Sequence, residues 1–307
     1  MSAPRTTTRG RWFKLVWVIP ILVAVAVLCV VLARFVRNQS SVQSFMTTYP
    51  GQSALPAWAP VGFPAWVQWQ HFLSAFFLLF IIRTGLLIRA TKRPPAYWTR
   101  NNNGRIRTKG APVRISLNHW LHLSLNMLFV LNGAVFYVLL FATGQWVRVV
   151  PVSWDIFPNA VSTAIQYVSL NWPTDDGWVN YNALQVLAYF VTIFVATPLA
   201  LITGIRLVPG LSARWAKLDK VYPIGLARAL HLPVMIYFVV FTVVHVTLVL
   251  STGALRNLNH MYAGRDDQTW WGASIFIGSL ILIAIAWIAM RPSIVTTMAS
   301  LTGSVRR

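Results

Sequence analysis

Apolar residues occur along this chain in six long blocks separated by polar and basic stretches. The blocks run from about Leu15 to Ala33, Pro64 to Leu87, Ser116 to Thr143, Asn182 to Ile205, Leu226 to Thr252 and Gly272 to Met290. Each approaches or exceeds the roughly 20 residues a helix needs to cross a bilayer. The pattern therefore predicts an all-α fold: a polytopic integral membrane bundle of about six transmembrane helices. A shorter pattern sits between the third and fourth blocks. In NAVSTAIQYVSL the apolar positions 161, 164, 165 and 168 have the spacing of a short amphipathic helix lying at the interface.

Composition agrees: 56% of the residues are hydrophobic and 10% charged, with mean hydropathy +0.59. The formal charge of +20 would suggest nucleic acid for a soluble protein. Here the basic residues crowd the connections between blocks, above all RATKRPPAYWTRNNNGRIRTKGAPVR from Arg89 to Arg114. A second cluster holds Arg206, Arg214, Lys217, Lys220 and Arg228. That is the positive-inside pattern, and it accounts for the charge without nucleic acid. It predicts a multi-pass protein of the cell membrane, surrounded by lipid, with both termini cytoplasmic. Segments 37–64, 144–181 and 253–271 then lie outside. The first block has a rival reading as a cleaved signal peptide. Its length and the Arg34 and Arg37 that follow favour a retained anchor.

Two absences narrow the chemistry. Cys29 is the single cysteine, which removes disulfide frameworks, Fe–S clusters and covalent haem attachment. Glutamate is missing, and five of the six aspartates fall in the outer segments. A carboxylate proton pump or a di-iron centre has almost no residues to use.

Histidine is what remains inside the blocks. The fifth block carries His231 and His245, fourteen residues apart, which is about 21 Å of helical rise and within about 40° of one face. Imidazole in hydrocarbon is costly, so such residues are functional candidates, although hydrogen bonding to neighbouring helices is the bland alternative. With the amino terminus inside, His71 on the second block and His245 fall toward the outer face. His119 and His122 on the third block and His231 fall toward the inner face. One outer and one inner pair fit two bis-histidine haems b. A zinc or copper site would want three or four ligands at one depth. At the inner level an internal likeness (His71 and His119 each precede a Gly by fourteen residues) favours His119, and depth favours His122, which we take as the ligand. Arg83 and Arg228 either pair haem propionates or snorkel to the interface.

This histidine pattern resembles the di-haem cytochromes b of the b561 superfamily, in particular the membrane subunits of respiratory formate dehydrogenase and nickel–iron hydrogenase. The likeness covers residues 65–260 and divides the chain into an N-terminal anchor with its outer loop (1–64), a four-helix di-haem core (65–260) and a C-terminal helix with its tail (261–307). Tyr181-Asn182-Ala183-Leu184-Gln185 is similar to a Tyr-Asn-Ala-Gly-Gln run that opens a helix in the formate dehydrogenase subunit, and Ile202-Thr203-Gly204 is similar to the end of that helix. Leu184 departs from the family's glycine. The resemblance implies two haems b, a quinone as substrate with Asn182 and Gln185 near its pocket, and electron transfer to or from a partner oxidoreductase subunit. The long, tryptophan-bearing outer segments point to a partner on the outer face, a molybdenum- or metal-cofactor enzyme. Family analogy would put the partner on the cytoplasmic side. Two other classes compete: a proton-coupled small-solute transporter using the histidines as a relay, and a haem-free anchor for a partner enzyme.

Overall fold

The computed structural model of the chain describes residues 9–103, 107, 112–173, 176–210 and 218–307. The basic residues Arg214 and Lys217 fall outside the described residues. Helices dominate: α1 (Arg9–Arg37), α2 (Ser40–Thr48), α3 (Ala65–Ala90), α4 (Leu117–Ala142), α5 (Ile156–Val168), α6 (Ala183–Phe190), α7 (Thr197–Arg206), α8 (Leu218–Val221), α9 (Ile224–Ser251), α10 (Ala254–Leu258), α11 (Trp271–Ala289) and α12 (Pro292–Ser300). Six stretches are long and apolar enough to cross a membrane, namely Val16–Arg37, α3, α4, Ala183–Arg206, α9 and α11. Their exposed side chains are mostly leucine, isoleucine and valine, with some phenylalanine, tryptophan and methionine, as a lipid solvent allows.

The stretch Ala183–Arg206 is continuous but not uniformly α-helical. Between α6 and α7 the segment Val191–Ala196 is a π-helix. Pro198, at the start of α7, has no N–H to give and crowds the carbonyl four residues earlier, which loosens the register. The wider turn is closed by Thr197 Oγ1 donating to the Thr192 carbonyl at 2.8 Å, and Tyr137 Oη donates to the Ile193 carbonyl at 2.6 Å.

The chain forms two compact units. One comprises residues 1–57 and 147–188. In it α1 packs on α5, and Arg34 Nε and Arg37 Nη1 donate to the carbonyl and hydroxyl oxygens of Ser169 at 3.1 and 3.2 Å. The expected amphipathic helix is α5, whose Ile156 and Ala160 pack against Ala183 and Val186. Gly51 ties this unit together: its N–H donates to Asn159 Oδ1 and its carbonyl accepts from Thr163 Oγ1 and the Ala183 N–H. Its φ of 108°, and the 2.8 Å that would separate a Cβ from Thr163 Oγ1, suit glycine alone.

The other unit comprises residues 58–146 and 189–307. This partition differs from the expected 1–64, 65–260 and 261–307. Segment 147–188 belongs with the N-terminal residues because of the Gly51 clasp, and α11 and α12 belong with α3 and α4. Here α3 packs along α4, and α7 along α9. The α3–α4 pair is pinned by Asn132 Nδ2 donating to Ser74 Oγ at 3.1 Å. The two pairs meet in an apolar layer, with Leu78 and Ile82 of α3 against Ala196, Leu199, Val234 and Phe238. Beyond that layer the backbones of α3 and α9 approach each other sparsely.

A small sheet was not anticipated in an all-α reading. Strands β1 (Tyr97–Arg100) and β2 (Arg114–Ser116) lie within the basic connection after α3, and β3 (Gly303–Arg306) pairs antiparallel with the other edge of β1. Trp98 Nε1 donates to the Ala299 carbonyl at 3.0 Å, which fastens the end of α12 to the sheet.

Candidate functional site

All five histidines of the predicted levels fall in the second unit, on α3, α4 and α9, and each is half-buried. The structure brings His71 and His245 together with ring centres 6.3 Å apart and planes tilted by 54°. Two imidazoles bound through nitrogen to opposite faces of one metal ion, each at about 2.0 Å, place their ring centres about 6.3 Å apart once the distance from nitrogen to ring centre is added. His71 Nδ1 is buried and has no hydrogen-bond partner in the protein. Aromatic rings wall this level. Phe241, one turn before His245, stacks on it with planes 6° apart, Tyr189 meets it edge-on, and Tyr262 stands edge-on to His71.

Tyr262 is held there by a compact polar turn. Asn259 is fully buried, its amide nitrogen donating to the Asp267 and Thr269 oxygens while its oxygen accepts from the Gly272 N–H. His260 Nε2 lies 2.8 Å from Asp266 Oδ1, and Arg256 Nε donates to the same oxygen at 3.0 Å. These two hydrogen bonds, that of Arg256 the stronger, hold the Asp266 carboxyl below the usual carboxylate range. His260 is thus part of the turn rather than of a histidine level.

The second level is built differently. His122 Nδ1 lies 2.9 Å from Thr84 Oγ1, and His231 Nδ1 lies 2.8 Å from Thr203 Oγ1. Both threonines are fully buried. Each hydroxyl also lies near a carbonyl of its own helix, Thr84 at 2.8 Å from Phe80 O and Thr203 at 2.7 Å from Leu199 O. With the hydroxyl proton given to that carbonyl, the threonine accepts from its histidine, which puts the ring proton on Nδ1 and leaves the Nε2 lone pair. That tautomer is the one a metal ligand needs, and the threonine is the orienting partner. Each is followed by glycine: a Cβ at Gly85 would lie 3.5 Å from His122 Cε1, and one at Gly204 would lie 3.5 Å from His231 Cε1. The two Thr-Gly pairs therefore form matching seats for the two rings.

His119 is arranged otherwise. Its Nδ1 lies 2.8 Å from Ser116 Oγ, the cap of its own helix, and that hydroxyl accepts the His119 N–H. The serine proton is free to be given to the ring, so nothing forces a ligating tautomer. Histidine spacing on α9 separates the levels by about 21 Å, and the apolar layer of Val234 and Phe238 lies between them. Sequence reasoning named the histidines, and Thr203-Gly204 only as part of a likeness. Thr-Gly occurs at 84–85, 143–144, 203–204, 252–253 and 302–303, so the dipeptide alone did not mark the two that face a histidine.

Asn182 is buried and works as a helix cap. Its Oδ1 accepts from the Gln185 N–H at 2.9 Å, and Gln185 Oε1 accepts from the Asn182 N–H at 3.1 Å, the reciprocal pattern of a capping box. Its Nδ2 donates to Tyr167 Oη at 3.0 Å. Arg228 is exposed, and Arg83 lies over Trp287. Among the described residues no three His, Cys, Asp or Glu side chains gather into one metal-binding group. An axial imidazole pair requires only two. No family model, curated protein or solved structure matches the chain.

Proposed function

We propose that the protein is a di-haem membrane cytochrome b that passes electrons between the quinone pool and a partner oxidoreductase. The observation that carries this reading is the 6.3 Å spacing of the His71 and His245 rings, with His122 and His231 each seated on a buried threonine. His71 and His245 would hold one haem, and His122 and His231 the other. When bound, haem b supplies one-electron redox chemistry. The protein's part would be to hold the histidine rings, exclude water with apolar and aromatic walls, and keep the two levels apart along α9.

Quinone would bind at the His71–His245 level, which the basic connections, read by the positive-inside rule, would put toward the outside. Asn182 would act through the start of its own helix, which it caps. The partner would dock on the outer segments, where Trp154 is 84% exposed and Phe157 lies beside it. A proton relay is disfavoured by the scarcity of acidic residues, since the chain has no glutamate and only six aspartates. The test is the reduced-minus-oxidised spectrum of the purified protein. Two equivalents of haem b are expected, and a featureless spectrum overturns the proposal.

A further inference from the structure

One charged group near the His122 level has no place in the haem sites. Arg83 immediately precedes Thr84, and successive helical residues point about 100° apart. Thr84 faces His122, so Arg83 is turned elsewhere, and its guanidinium carbon lies 4.4 Å from the centre of the Trp287 ring on α11. Its Nη1 is buried and has no partner in the protein. A buried guanidinium donor without an acceptor is rare in folded proteins and marks a place where something else supplies the oxygen.

Arg83 lines a cavity of about 240 Å³. Its other polar walls are Thr91 and Asn118, its apolar walls include Leu121, Met290 and Val295, and among the described residues no acidic side chain borders it. Two helices begin there: α4, through Leu117 and Asn118, and α12, through Pro292. The positive ends of the two helix dipoles meet at the same spot, although the Leu117 N–H is given to the Ala96 carbonyl and the His119 N–H to Ser116 Oγ. The site thus combines a cation, two helix starts and neutral donors with an apolar floor, at the end of α3 that enters the basic connection.

We propose that this cavity binds the phosphate of an anionic phospholipid headgroup, with Arg83 as its charged donor and the apolar wall receiving the start of an acyl chain. Basic pockets between transmembrane helices on the positively charged side take such headgroups. A haem propionate is a poorer fit, because Arg83 points away from the ring of His122. A free phosphate would leave the apolar wall unused.

The full-length protein, purified in detergent, is titrated with phosphatidylglycerol, phosphatidylcholine or inorganic phosphate while its thermal midpoint and haem content are followed. Phosphatidylglycerol alone is expected to raise the midpoint. Arg83→Gln should need about tenfold more of it, with the haem content unchanged, and Arg83→Lys should retain most of the response. Equal effects of phosphatidylcholine or inorganic phosphate overturn the proposal, as does an Arg83→Gln response like that of the parent. Loss of one haem in Arg83→Gln also overturns it, by assigning the arginine to the cofactor. Should that variant not accumulate, Asn118→Leu decides: it must weaken the phosphatidylglycerol response, and an unaffected response refutes the site.

Discussion

Replacing Thr203 by valine tests whether the hydroxyl seats His231 as a ligand. Valine keeps the shape of threonine and removes only the oxygen that lies 2.8 Å from His231 Nδ1. The hydroxyl's bond to the Leu199 carbonyl is local to its own helix, so its loss is a small part of the effect. An imidazole N–H given to a good acceptor makes the other nitrogen more basic, which favours oxidised iron. A neutral hydrogen bond contributes about 0.5–1.5 kcal/mol. At 59 mV per tenfold for a one-electron couple, losing all of that preference moves the potential up by about 20–65 mV. The buried N–H left without an acceptor should also weaken retention of that haem, by about 10–100-fold. The assay is a potentiometric titration of the purified protein followed in the α-band and fitted as two one-electron components. One component should move to higher potential, the other should stay, and Thr203→Ser should behave like the parent. If Thr203→Val keeps both haems at unchanged potentials, the orienting role is wrong.

Other expectations follow from the same geometry. His245→Ala should remove one haem and spare the other, and His122→Ala should do the same at the second level while His119→Ala is mild; pyridine haemochrome counts distinguish these outcomes from general misfolding. Asn182→Ala breaks a buried capping box, so a stability loss of about 1 kcal/mol is expected in thermal unfolding. If the residue serves quinone only through the cap, Asn182→Ser, which restores it, should also restore the rate of haem reduction by a quinol analogue. The Asp266 carboxyl, depressed first by Arg256 and then by His260, stabilises its turn at all pH values above the ordinary carboxylate range. That contribution is lost as pH falls below about 4 toward the depressed value. Hydrogen exchange at 254–270 should accelerate over that acid window in the parent, and Arg256→Gln should narrow the change. An exchange profile that is flat through this window contradicts the assignment.

Much of this architecture was legible in the chain because bilayer-crossing helices announce themselves by length. The block from Leu226 to Thr252 became α9 at Ile224–Ser251, and Ser116 to Thr143 became α4 at Leu117–Ala142. The meeting of His71 and His245 also read directly, since rise per residue and chain direction fix relative height along packed helices. Rotation about the helix axis is what the chain hid. Whether Thr84 faces His122 depends on how two helices pack, and depth alone favoured His122 without supplying its partner. The π-turn at Val191–Ala196 needed Pro198 to be read together with the distant Tyr137 hydroxyl. The sheet escaped because β1 and β3 are some two hundred positions apart, and the four residues of each carry no pattern that stands out from a basic connection.

That sheet bears on the order in which the protein can be made. Strand β3 leaves the ribosome only after all six long helices, yet it completes the sheet whose β2 strand runs straight into the first turn of α4 and its cap, Ser116. Until then β1 has one edge open, and the platform beneath His122 is unfinished. The His71–His245 level lacks only the polar turn around Asn259, which emerges earlier. Maturation therefore has a direction: the level beside the sheet is the last to become rigid, and a chain stalled after α11 would hold an incomplete seat there.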